Sequence, residues 1–245
     1  MADQEINLRK LLLEGVAIVA SILVAFAIDS SWDEYQEDKK REHALGALRS
    51  EFQATYAGVA STRNYHKQEQ GQLLQLLDLT RERPVDLNAE EVIQLVQSAI
   101  LFTTYLPPTG ALDSLIGSGE LNSLLSAELR SNLVQFQKLL ESLYRTQSWG
   151  LAFVNEELTI YLGERVPLVL FGFSNEEHRE KLSSYYSKEE AAVYARELMG
   201  SLEFQNLIHT RLLIAGLLEN KTGLLVEDAG IICEMLDAEC SANEV

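Results

Sequence analysis

Apolar side chains recur at alternating intervals of three and four residues through most of this chain, the spacing that gathers them on one face of an α-helix. One stretch departs from that rhythm. Leu11 to Ile28 reads LLLEGVAIVASILVAFAI, eighteen residues interrupted by a single charge, Glu14. At 1.5 Å per residue it spans about 27 Å, enough for the hydrocarbon core of a bilayer. It therefore predicts a transmembrane helix over 11–28, with 1–10 as a cytoplasmic tail and 29–245 as a soluble domain. A secretory signal peptide is the rival, because Ala25-Phe26-Ala27 has the small-x-small form of a cleavage site. Glu14 is out of place in the apolar region of a signal peptide, which favours a retained anchor.

From Asp29 to about Thr80 no proline interrupts the pattern, which predicts one long helix leaving the bilayer, with Trp32 as an aromatic anchor at the interface. Its seam, Leu45, Leu48, Phe52, Thr55, Val59, Thr62, His66, Glu69, Leu73 and Leu76, is apolar at both ends and polar in the middle. A charged turn with Pro84 follows, then a helix from an Asn88/Glu91 capping box to about Phe102. Pro107, Pro108 and Gly110 break the chain. A short helix over Ala111 to Ile116 leads to a tight turn at Gly117-Ser118-Gly119. Ser126 caps a helix with the seam Leu129, Leu133, Phe136, Leu140 and Leu143, running to about Leu162. The stretch RVPLVLFGF, from Arg165 to Phe173, is the one β-like segment, and without a pairing partner it reads as a packed loop. Ser174 and Ser187 have the form of N-caps, and a last helix starts near Ser201.

That last segment carries three glycines one heptad apart, Gly216, Gly223 and Gly230, in GLLENKT, GLLVEDA and GIICEML. Each costs on the order of 1 kcal/mol in a helix interior relative to alanine, so three in register point to a face packed closely against another helix. The seam from Phe204 through Ile208, Arg211 and Ala215 to Leu236 keeps its phase through all three. It predicts one long helix, with a hairpin breaking at Asn220 to Gly223 as the alternative. The fold class is all-α: an N-terminal transmembrane helix continuing into a long helix, plus an antiparallel helical bundle.

Within the span, Ala17, Ser21 and Ala25 form a small-residue series at i, i+4 and i+8, a face on which another helix backbone can approach closely. Glu14 lies near the same stripe, and an ionisable residue in a membrane helix marks a partner or a polar path, unless it reaches the headgroups one turn away. These four residues are the expected helix-packing site in the membrane. Arg9 and Lys10 precede the span while Asp29, Asp33 and Glu34 follow it. That asymmetry places the N-terminus in the cytoplasm and the domain in the periplasm of a bacterial inner membrane.

Charge and candidate chemistry narrow the picture further. A net charge of −17 over 245 residues would repel a phosphate backbone, so no nucleic acid is expected as a partner. Cys233 and Cys240, about 10 Å apart along a continuous helix, cannot bridge unless the tail bends or a second chain supplies the partner, so two free thiols are expected. His43, His66, His178 and His209 stand apart in sequence, and no metal motif, hydrolase elbow or haem attachment site occurs. Neighbouring carboxylates such as Glu176 with Glu177 and Glu189 with Glu190 point away from one another on a helix. No cofactor, metal, catalytic residue or small-molecule substrate is predicted, and nothing positive supports an enzyme.

The residues Glu14, then Ile22, Leu23, Val24 and Ala25, then Ile28, Asp29, Trp32 and Glu34, followed by Lys39, Arg41, Glu42, Leu45, Leu48 and Glu51, make a recurring pattern of apolar span, Trp-containing exit and charged helix. In this the chain resembles a family of bacterial single-pass inner-membrane proteins of unknown function. The stretch ALDSLIGSGELNSLLSAELRSNL is similar to that family's middle segment, while Asp29 stands where an Asn is usual. The resemblance implies a membrane-anchored helical domain and no established activity. The expected role is a non-enzymatic scaffolding or accessory subunit, whose partners are the lipid bilayer and other membrane proteins, or further copies of the chain through the transmembrane helix. A periplasmic sensor or ligand-binding bundle acting through a partner is the alternative.

Overall fold

A computed structural model describes residues 8–82, 86–121, 125–171 and 185–241. The expected turn at Pro84, the end of the β-like stretch at Gly172 and Phe173, the Ser174 cap, Glu176, Glu177 and His178 lie outside the described residues. Within them the chain is all-α, with one long apolar N-terminal helix.

Helix α1 runs unbroken from Leu8 to Glu82, because no proline or cap interrupts its 75 residues. Its apolar window is long enough to cross a membrane and none of it is buried within the protein. Among the described side chains of α1 the first that is buried is Leu48, followed by Phe52, Thr55, Val59 and the rest of the expected seam through Leu76. The polar middle of that seam is buried too, with His66 and Glu69 at 1% and 2% exposure.

Helix α2 (Ala89–Ile100) starts at Asn88, whose side chain accepts from the amides of Glu90 and Glu91, and it ends two residues earlier than the pattern suggested. Helix α3 (Gly110–Ser118) is longer than expected. Gly117 and Ser118 belong to it, and Gly119 alone makes the turn, in the left-handed region at φ 72°. The carboxylate of Glu51 on α1 closes the start of α3, accepting from the amides of Ala111 (2.6 Å) and Leu112 (3.1 Å). Helix α4 (Ala127–Phe153), capped by Ser126, continues through a π-type turn at Val154–Leu158 into Thr159–Gly163. The β-like stretch forms a short 3-10 turn, Leu168–Phe171, with Phe171 buried. Helix α5 (Lys188–Gly200) carries a full capping box between Ser187 and Glu190.

Helix α6 (Leu202–Met235) is continuous through all three heptad glycines, so no hairpin forms at Asn220. It lies along α1, and α4 packs against it. Residue numbers fall along α6 as they rise along α1: Arg49 donates to the Leu236 carbonyl, Arg63 pairs with Glu219 at 2.9 Å, and Glu69 meets Arg211. One apolar core joins these helices, with Phe52 and Phe136 edge to face at 5.0 Å.

The cysteines depart from expectation. Helix α6 ends at Met235, and Asp237 takes a positive φ of 51°, so the tail folds back across the last turn instead of extending the helix. Cys240 thereby comes within 6.1 Å of Cys233, Cα to Cα, and the two form a disulfide. The free-thiol expectation failed because it took the helix to continue past Leu236.

Candidate functional site

The four residues singled out in the span, Glu14, Ala17, Ser21 and Ala25, are all exposed, and their face meets no other part of the protein. The Ser21 hydroxyl donates to the Ala17 carbonyl at 2.8 Å, which satisfies it within the helix and leaves the face low and smooth. Three turns further on, Trp32 is exposed and its ring lies 6.0 Å from that of Tyr35, over which Lys39 places its ammonium at 5.1 Å. From residue 12 to residue 43 no side chain of α1 is buried, so this part of the helix stands clear of the rest of the domain.

The glycine heptad lies against α1. A Cβ placed on Gly216 would lie 3.8 Å from the Gln70 side chain, one on Gly223 3.2 Å from the Arg63 guanidinium carbon, and one on Gly230 3.6 Å from the Tyr56 ring. Tyr56, Arg63 and Gln70 are themselves a heptad apart, so one repeat on α6 runs against another on α1.

A third locus brings together residues that the sequence left separate. Glu69 divides its carboxylate between two partners, one oxygen on the Arg211 guanidinium and the other 3.1 Å from His66 Nδ1. All three side chains are buried. Arg211 also donates from Nε to the Ala99 carbonyl at 3.1 Å and from Nη2 to the Leu101 carbonyl at 3.2 Å, which meets the carbonyls at the C-terminal end of α2 with a positive charge. The Phe102 ring packs on the guanidinium at 4.9 Å, and Tyr65 lies edge-on to His66. Gly150 of α4 admits Phe102, since a Cβ there would collide with that ring and with Ile214. One cluster thus ties α1, α2, α4 and α6 together.

Burial pushes the Arg211 pKa down from its ordinary value, and the Glu69 carboxylate opposes that shift. Glu69 and Arg211 together are neutral, which limits the cost of taking both from water. His66 Nε2 and Arg211 Nη1 make no hydrogen bond with the protein. Among the described residues no group of three or more His, Cys, Asp or Glu side chains is placed to hold a metal ion.

Glu69 and Arg211 both appeared in the sequence as charges on apolar seams, which is the one signal that could have flagged them. Their separation of 142 residues concealed that each is the other's partner. No protein-family model matches the sequence, and neither a curated protein nor a solved structure shows significant similarity to the chain.

Proposed function

We propose that this chain is a membrane-anchored, non-enzymatic scaffolding or accessory subunit of a larger membrane protein assembly, with an antiparallel helical bundle as its soluble domain. The observation that carries the reading is the division of labour along α1. Its C-terminal half is absorbed into the core, whereas the span and the segment to residue 43 expose a face that the chain itself does not cover. Lipid gives no hydrophobic drive for helix association, so a face of Ala17, Ser21 and Ala25 beside Glu14 suits close helix-to-helix contact.

The Cys233–Cys240 disulfide supports a periplasmic domain and a cytoplasmic N-terminus in a bacterial inner membrane, because such bonds persist in oxidising compartments and are rare in the cytosol. It agrees in direction with the charge asymmetry around the span.

Extraction from the native membrane in mild detergent tests the proposal. Other membrane proteins should co-purify with the full chain, or it should migrate as an oligomer, and Ser21→Leu with Ala25→Leu should reduce the association. A lone monomer with nothing bound overturns it.

A second reading, a sensor or ligand-binding bundle acting through a partner, draws on the convergent polar groups of His66, Glu69 and Arg211 in the core. Slower amide exchange around this cluster on addition of a periplasmic extract, with no association in the membrane, would favour it over the first.

A further inference from the structure

The buried seam of α1 can be followed backwards from Leu48 and Leu45 toward the membrane, and at the same spacing it falls on Arg41, Asp38 and Glu34, all charged. The face that packs the domain therefore does not continue into the stretch between domain and bilayer. A different stripe does. Ser21, Ala25, Ile28, Trp32, Tyr35 and Lys39 follow the same alternation of three and four, displaced by one position, or about 100° around the helix. Trp32 and Tyr35 are 59% and 50% exposed on it. This stripe is a seam of its own, exposed to one side of the face that packs the core.

We infer that the seam is a parallel coiled-coil contact with a second copy of this chain, running from the span into the segment above it. This rests on the scaffolding reading and names its first partner. Two copies inserted with one topology lie parallel, and the heptad phase then fixes which residues meet. Ala25, Trp32 and Lys39 occupy one seam position; Ser21, Ile28 and Tyr35 occupy the other. The flanking positions that face across such a dimer are five residues apart, and they pair Asp38 of one copy with His43 of the other, and Ser31 with Gln36. Lys39 enters the seam beside Asp38 of the opposite copy. The flanking pairs Asp38 with His43 and Ser31 with Gln36 join an acid to a base and two hydrogen-bonding side chains, and Lys39, which faces its own counterpart across the axis, has Asp38 of the opposite copy beside it to offset that repulsion. A charged seam residue such as Lys39 costs stability but fixes register and strand number, and small residues in the span allow the two backbones to close together below it.

Single-cysteine scanning of the full chain in its membrane tests this, since Cys233 and Cys240 are occupied with each other. Under mild oxidation Ile28→Cys, Tyr35→Cys and Lys39→Cys should give a band of twice the monomer mass. Ser30→Cys and Glu37→Cys, about 160° away from the seam, should give at least fivefold less. Asp38→Arg should lower the Tyr35→Cys yield severalfold, and adding His43→Asp should restore it. Equal yields at every position, no dimer at Tyr35→Cys, or no restoration by the charge exchange overturns the inference. Cross-linking to a different protein overturns the second copy while leaving the scaffolding reading in place. A monomer at every position overturns both.

Discussion

Glu69 of α1 and Arg211 of α6 form an ion pair 142 residues apart in sequence, with 2% and 0% of their side chains exposed. Two charges are retained in the centre of an otherwise apolar interface, where desolvation opposes their attraction. The geometry that makes this tolerable is the sharing of Arg211 with the α2 carbonyls and of Glu69 with His66. Breaking the pair from one side leaves a buried charge without its counterion. Arg211→Met or Glu69→Leu alone should therefore cost about 3–5 kcal/mol of unfolding free energy, and the double variant clearly less than the sum. Chemical denaturation in detergent measures all three, and strict additivity would contradict the pairing.

Gly150 is a second point of close approach. Alanine there forces Phe102 and Ile214 to shift against packed neighbours, at about 1–3 kcal/mol. Gly46 lies in the exposed part of α1 with nothing within 4 Å, so Gly46→Ala should instead stabilise by up to about 1 kcal/mol. Opposite shifts in thermal midpoint for the two variants are the expected result.

The disulfide closes a short loop at the end of α6. Cys233→Ser with Cys240→Ser should lower stability by about 2 kcal/mol, chiefly through the unfolded chain. Thiol alkylation of the wild-type protein extracted without reductant should label neither cysteine, and labelling of both would contradict the bond. Alkaline phosphatase fused to the C-terminus should be active in cells, as a periplasmic domain requires.

Burial holds the Glu51 carboxyl above its ordinary value of 4.5, against the opposing pull of the Ala111 and Leu112 amides, and Asp113 nearby adds to the rise. The folded chain thus binds this proton more tightly than the unfolded chain does. Its contribution to stability is full below about pH 4.5 and is lost as pH rises through the raised folded value. Compared with Glu51→Gln, the parent should lose stability across that window and run parallel to the variant above it. Unfolding titrations at closely spaced pH values check the sign.

Much of the helical order was legible because it is local. Ser126, Ser187 and Asn88 mark helix starts through hydrogen bonds two or three residues away. The unbroken α6 followed from a seam whose phase survives Gly216, Gly223 and Gly230. What escaped depends on distant or unusual backbone. The reversal at Asp237 needs a left-handed residue that no glycine announces, and it hid the disulfide. The π-type turn at Val154–Leu158 has no compositional mark. His66, Glu69 and Arg211 each looked like a flaw in an apolar seam until the fold set them side by side.

The unbroken α1 has a mechanical consequence. From Asp29, just past the apolar stretch, to Glu82 the helix covers about 80 Å. A change of only ten degrees in the tilt of the span would sweep its far end through about 14 Å, if the helix stays straight. Under the proposed membrane anchoring, a partner that reorients the apolar segment would thereby swing the whole domain like the arm of a crane.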